Sequence, residues 1–197
     1  MTTSNHSDDL QTRNKGMMRA RQRPLMRRYK EEPEAAWITD GACTVEGAWS
    51  RNDPVHGELR IGTAHPVTVP LSIHSAVGGD HDGPNPGDYL AAALAGCFDT
   101  TLRIIANRFG VELASLSVSA AAELDVRGTL CVDADVPVGF QRMKLTVDIA
   151  AAPGVDAESV KMLVAATEHC CVVLRTLQQA LALEVVVNHQ GAVAESA

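Results

Sequence analysis

The spacing of apolar positions changes repeatedly along the chain, and each change marks an element. Between residues 39 and 75, Leu59 and Ile61, then Val67, Val69, Leu71 and Ile73, recur at every second position. Ala42, Thr44 and Trp49 precede them among turn formers, Gly41, Gly47 and Asn52-Asp53-Pro54. Alternation with period two marks half-buried strands, so this stretch predicts two or three antiparallel strands joined by short turns. Residues 78 to 86, GGDHDGPNP, read as a loop. Asn85 then suits a helix N-cap, Pro86 the first helical position, and Asp88 the positive end of the helix dipole. A long helix is expected to about Arg108, ended by Phe109 and Gly110. Its apolar positions Leu90, Leu94, Cys97, Thr101 and Ile105 recur at helical spacing and put Cys97 on the inward face. Ala91, Ala92, Ala93, Ala95 and Gly96 keep the surrounding surface small, so another element can approach closely.

The period returns to two from Val111 to Val126, through Leu116, Val118, Ala120, Ala122 and Leu124. Residues 128 to 138 read as a turn or irregular connection. Phe140 to Ile149 alternates again through Met143, Leu145, Val147 and Ile149. After Pro153-Gly154, Asp156 caps a further helix carrying Val160, Leu163 and Val164. The helical pattern hesitates near Glu168-His169 and resumes through Val173, Leu177 and Leu181. Leu183 to Val187 predicts a closing strand. Grouped strands with interspersed helices give an α+β class with a mainly antiparallel sheet. No internal repeat is present at solenoid periods.

Composition narrows the function classes. The chain has 197 residues, enough for one domain or two small ones, with a core that needs no disulfides. Apolar residues at 46% and charged residues at 21% exclude a mainly disordered or collagen-like chain. No unbroken run approaches the roughly 18 to 20 uncharged apolar residues of a membrane helix, so no membrane partner is expected. A net charge of −7 argues against nucleic acid as a general partner. Charge is unevenly spread, however. Arg13, Lys15, Arg19, Arg21, Arg23, Arg27, Arg28 and Lys30 occur with no acid among them, followed by Glu31, Glu32 and Glu34. Residues 1–35 therefore read as a basic N-terminal extension. It is either an arm for an anionic partner or a solvated or partner-packed stretch whose charges partly cancel. Met17, Met18, Leu25 and Met26 let part of it dock as a short helix. The main domain is expected over residues 36–190, with a tail at 191–197. Asp8 and Asp9 interrupt the first ten residues, so no secretory signal is read there. The expected compartment is a reducing cytoplasm, where the five cysteines are free thiols.

Cys97 is the most informative single residue, because it lies well inside a helix among small neighbours. Cys170 and Cys171 sit at the hesitation in the later helical region. Thiols on two packed helices can meet, and the chemistry of such a pair suits peroxide reduction: a thiolate attacks the O–O bond and the second thiol condenses with the sulfenic acid. A mid-helix cysteine gains little from the dipole, so a cation or polar network must favour its thiolate. The alternative is a small buried hydrophobe, the common fate of a free cysteine. Asp80-His81-Asp82 has the composition of a metal or acid–base cluster, but in a glycine-rich loop it reads as solvated turn chemistry. Glu168-His169-Cys170-Cys171 cannot turn four contiguous side chains to one ion on a helix. His56, His65 and His74 show no ligand spacing, and Cys43 and Cys131 read as spectators. No motif implies a cofactor or a metal.

The segment Pro84-Asn85-Pro86-Gly87-Asp88-Tyr89-Leu90 through Gly96-Cys97 resembles the first signature of the OsmC/Ohr family, the osmotically induced and organic hydroperoxide resistance proteins. Cys171, followed six residues later by Leu177, resembles the second. The resemblance covers about residues 37 to 188. It implies an OsmC-like fold built as an intertwined homodimer, with antiparallel sheets wrapping two central cysteine-bearing helices. It further implies thiol-dependent reduction of organic hydroperoxides. Cys97 would be the peroxidatic thiol and Cys171 the resolving one, with Cys170 exchanged for it by a slip of one residue. A dithiol such as a lipoyl protein would be the reductant.

The chain also departs from that pattern. The family's glutamate ten residues before the peroxidatic cysteine is Gly87 here, and Asp88 points about 100° further round the helix. The supporting arginine has no motif to place it, with Arg51 and Arg60 as candidates. The proline after the resolving cysteine is Val172. Losing an opposite charge typically moves a pKa by about 1 to 3 units. A second reading therefore stands beside the peroxidase: a non-catalytic OsmC-fold protein that binds a small ligand or senses oxidants.

Overall fold

The computed structural model describes residues 16–188. Its helices are α1 (Met17–Glu31), α2 (Pro86–Phe109), the single turn α3 (Val126–Thr129), α4 (Ala157–Cys170) and α5 (Val172–Leu177). Its strands are β1 (Ala42–Val45), β2 (His56–Ile61), β3 (Val67–Ser72), β4 (Leu113–Glu123) and β5 (Arg142–Ala151). They form one three-stranded sheet in the order β1-β2-β3 and one two-stranded sheet, β4-β5, all antiparallel.

The β4-β5 pair follows directly from the alternation. Leu116 lies opposite Ile149, Val118 opposite Val147, Ala120 opposite Leu145 and Ala122 opposite Met143. These positions share one half-buried face, while Ser117, Ser119, Lys144, Thr146 and Asp148 take the exposed one. A register slip of one residue would turn the apolar set into water, so the pattern fixes the pairing.

α2 starts as its sequence requires. The Asn85 side chain accepts from the Gly87 and Asp88 N–H groups, and Asp88 accepts from the Asn85 N–H at 2.9 Å, a reciprocal cap. Gly110 ends the helix at φ 72°, a left-handed conformation glycine adopts without steric cost. The buried face is displaced from the expected one. Leu94, Phe98, Leu102, Ile105 and Ala106 are buried, and Cys97 and Thr101 lie at the margin, half-buried. By length and composition α2 would also suit a membrane span. Here it is the core helix, packed on α1, β4, α4 and α5.

α1 forms from the basic extension. It rests on α2, with the Met18 N–H donating to Asn107 Oδ1 at 2.9 Å. Arg19, Arg21, Arg23, Arg27, Arg28 and Lys30 are all exposed on it.

Two expectations are corrected. The later helix stops at Leu177 and does not reach Leu181. Leu183 to Val187 is not a strand. The segment pairs with neither sheet, and Leu183, Val185, Val186 and Val187 stand exposed. Apolar alternation signals a strand only where a partner edge covers it.

Candidate functional site

The site forms where α2 meets the break between α4 and α5. Asp156 caps α4, accepting from the Ser159 N–H at 2.7 Å. α4 buries Leu163 and Thr167 against the α2 core, and the Thr167 hydroxyl bonds back to the Leu163 carbonyl at 2.7 Å. The helix ends at Cys171, whose backbone turns extended (φ −71°, ψ 109°) and caps α5. The hesitation in the sequence is this turn. It buries the Cys171 side chain completely and leaves Cys170 exposed.

Cys171 Sγ donates to Cys97 Sγ at 3.4 Å, linking positions 74 apart in sequence. The two thiols have opposite electrostatics. Burial works against a Cys97 thiolate. Hydrogen bonding by the Val173 N–H, the Cys171 thiol, the Thr101 hydroxyl and the Val172 N–H outweighs it and holds Cys97 below the ordinary thiol range. Val172 and Val173 open α5, so their N–H groups have no partner inside the helix, and the sulfur supplies an acceptor. Burial pushes Cys171 up. The Leu174 N–H pulls the other way, but the neighbouring Cys97 pushes it further, and the net displacement is upward. The pair is thus a thiolate-prone nucleophile beside a thiol that keeps its proton.

The other sequence candidates fall elsewhere. Arg51 pairs with Glu46, and Arg60 lies opposite Cys43 on the exposed side of β2. Cys43 and Cys131 are exposed free thiols. Glu168 and His169 line a cleft of about 500 Å³ beside Phe98 and Leu174. A second cleft of about 530 Å³ adjoins it through Leu145 and Leu174, and is walled by Leu90, Leu94, Phe140 and Met143. The position of the missing glutamate is filled from outside: a Cβ on Gly87 would meet Phe140 Cζ at 2.9 Å. Among the described residues no group of three or more His, Cys, Asp or Glu side chains is placed to hold a metal ion. Sequence reasoning missed Thr101 as a sulfur partner, although its place one turn after Cys97 was a readable signal.

Residues 79–186 match the model of the OsmC-like protein family, more than half of the chain and both cysteine segments. The chain belongs to the OsmC-like family. Two solved structures agree on the fold of this OsmC-like chain. An OsmC-like protein of unknown function from Vibrio cholerae matches with a TM-score of 0.57 at 12% identity, over 71% of this chain and 93% of that one. An OsmC-like protein from Mycoplasma pneumoniae matches at 0.55 and 15% identity, over 72% and 88%. An organic hydroperoxide resistance protein from Legionella pneumophila is 24% identical, with a TM-score of 0.49, over 73% and 91%. A search of curated proteins finds no match.

Proposed function

We propose that this OsmC-like chain is a thiol peroxidase that reduces organic hydroperoxides with Cys97 and Cys171. The observation carrying the proposal is the sulfur pair at 3.4 Å with its two pKa values displaced in opposite directions. The Cys97 thiolate attacks the distal oxygen of ROOH, the O–O bond breaks, and the alkoxide takes a proton to leave as ROH. Cys97 becomes a sulfenic acid. The Cys171 thiol condenses with it, forming the S–S bond and releasing water. A dithiol, such as a protein-bound lipoyl group, restores both thiols and is itself oxidised to a disulfide. The apolar wall of Leu90, Leu94 and Phe140 suits the carbon chain of the hydroperoxide. Reduced thiols are the working state, in keeping with a reducing cytoplasm.

The same proposal includes a homodimer. α2 leaves Ala92, Ala93, Gly96 and Thr100 exposed, a surface small enough for a second helix to approach. The segment 183–187, with Leu183, Val185, Val186 and Val187 exposed, supplies a further strand for a partner's sheet. Sedimentation should give twice the chain mass. Consumption of cumene hydroperoxide with a lipoyl dithiol tests the activity. Fast turnover supports the peroxidase, and its absence in folded, reduced protein favours the binding or sensing reading.

The geometry also predicts how Val172→Pro behaves. Val172 is the first residue of α5, a position where proline is favoured, and Cys171 before it already has the extended backbone proline requires. The fold should therefore survive. The substitution deletes the Val172 N–H, one of the donors to Cys97. The Val172 N–H is the weakest of the influences that favour the thiolate, so alkylation of Cys97 at neutral pH should slow, by less than the roughly tenfold that losing a full hydrogen bond to a charged group would bring. The rate–pH profile should move to higher pH. An unchanged profile would show that the backbone donors do not hold the thiolate.

A further inference from the structure

The imidazole of His56 has no part in the proposed chemistry, yet it is the most heavily partnered side chain in the sheet region. Its side chain is only 13% exposed. Nδ1 lies 3.4 Å from Asp53 Oδ2, and Nε2 lies 3.2 Å from Asp82 Oδ2 and 3.7 Å from Asp80 Oδ2. Its ring stacks on Trp49, with centroids 4.0 Å apart and planes 16° apart. Asp82 is held from its other side by the Ser72 hydroxyl at 2.8 Å. The participants come from four places: the β1–β2 connection (Trp49, Asp53), β2 itself, the end of β3 (Ser72), and the loop before α2 (Asp80, Asp82).

We infer that His56 is a proton-operated latch that fastens the loop of residues 78–85 to the β1-β2-β3 sheet while it is charged. That loop ends in Asn85, the cap of the helix that carries Cys97. A neutral imidazole carries one N–H and can donate to Asp53 or to Asp82, not to both. The cation donates to both and attracts all three carboxylates. Losing the proton therefore surrenders one hydrogen bond and the charge together. The loop-to-sheet bonds that remain are the Ser72 hydroxyl to Asp82 at 2.8 Å and two backbone ones, His81 N–H to the Ile73 carbonyl at 3.0 Å and Ser72 N–H to the Pro84 carbonyl at 2.9 Å.

Other charged groups near the ring are already engaged. Arg51 pairs with Glu46, and Glu58 accepts from the Ala48 N–H. His81, in the same loop, packs its ring against His74 at a tilt of 37° rather than against His56.

The sign of the effect follows from the displacements. Burial alone would lower His56, but the bond to Asp53, the charges of Asp82 and Asp53 and the bond to Asp82 outweigh it, and the pKa is raised. A raised histidine stabilises below its unfolded pKa, and the contribution disappears as pH rises through the folded value. Asp53 and Asp82 are lowered, Asp53 chiefly by the Val55 and His56 N–H groups and Asp82 chiefly by the Ser72 hydroxyl. Their contribution disappears as pH falls through their folded values. The latch is thus closed from below the ordinary carboxylate range of about 3.9 to above the ordinary histidine value of about 6.5. This inference does not depend on the peroxidase reading, because neither cysteine takes part.

The test is a fluorescence and hydrogen-exchange titration of the full chain carrying Trp37→Phe, which leaves Trp49 as the only indole. Trp49 emission should rise in one step as His56 loses its charge, with a midpoint above that of a free histidine. Exchange at the His81 and Ser72 amides, corrected for intrinsic rates, should accelerate about tenfold across the same step. Asp82→Asn should lower the midpoint and remove the exchange step while leaving the protein folded. His56→Gln should show neither step. A His56 midpoint at or below the free value, or exchange protection that ignores the step, would overturn the latch.

Discussion

Cys97→Ser should abolish turnover of an organic hydroperoxide, a loss on the order of 10³-fold or more, because no other thiol is placed to act as the nucleophile. A serine hydroxyl in the same place keeps its proton at neutral pH and cannot use the N–H groups that α5 aims at the sulfur. Cys171→Ser should fail differently. The Cys97 thiolate loses the thiol that donates to it at 3.4 Å, but keeps the backbone donors and Thr101. It should still react, consume about one equivalent of hydroperoxide per chain, and stop at a sulfenic acid that a dione probe traps. Cys170→Ser separates the two neighbouring thiols. Cys170 is exposed while Cys171 is fully buried against Cys97, so this variant should turn over at nearly the parent rate. Loss of turnover in Cys170→Ser with retention in Cys171→Ser would reverse the assignment. The rate for the parent protein should rise with pH and level off below the pH at which an ordinary thiol does, since Cys97 is displaced downward.

Local structure was legible wherever one chain supplies both sides of a contact. The alternation from Leu116 to Ala122 and from Met143 to Ile149 contains its own register, because the two strands bury the same face. Asn85, Pro86 and Asp88 announce the start of α2 through bonds that span three residues. Both cysteines could be singled out and their meeting allowed for, but what surrounds Cys97 could not be read. The sulfur is favoured by the N–H groups of Val173 and Val172, which open α5 just after Cys171 leaves helical geometry. Arg51 and Arg60, the cations the sequence offered, lie elsewhere: Arg51 pairs with Glu46 and Arg60 is exposed on β2. The His56 cluster was hidden for a related reason: Asp53 is three residues away, but Asp82 is 26 away and arrives by way of a loop. The strand expected at 183–187 shows the converse limit. Its pattern is genuine, but the segment pairs with neither sheet of the chain.

The two halves of the site also divide the work of folding and chemistry. Leu94, Phe98, Leu102 and Ile105 form the buried face of α2, and Cys97 stands half-buried at its rim. A cysteine at the centre of that face would gain burial and lose access. On the proposed peroxidase reading, the displacement of Cys97 from the expected inward position favours reactivity, since burial is the one influence that raises its pKa. Cys171 takes the opposite position, fully buried, where keeping its proton suits a resolving thiol.

This division makes Leu102→Ala the most informative stability test. Leu102 is fully buried in the cluster with Phe98, Ile105 and Leu163, and it lies more than one turn from Cys97 on α2. Truncating a buried leucine removes its transfer free energy and leaves a cavity, at a cost of about 2 to 5 kcal/mol. Against a total stability of about 5 to 15 kcal/mol, that is a large fraction. The urea midpoint should fall accordingly, measured at a fixed protein concentration because self-association would contribute. Met162→Ala, on the exposed side of α4, should change stability by no more than about 0.5 kcal/mol. In native buffer the Leu102→Ala protein should still oxidise Cys97 to the Cys171 disulfide, because the α4–α5 turn and its N–H groups are intact. Full stability in Leu102→Ala would mean that α2 is not the core helix. A folded variant that no longer forms the disulfide would mean that packing along α2, rather than the turn at Cys171, sets the distance between the sulfurs.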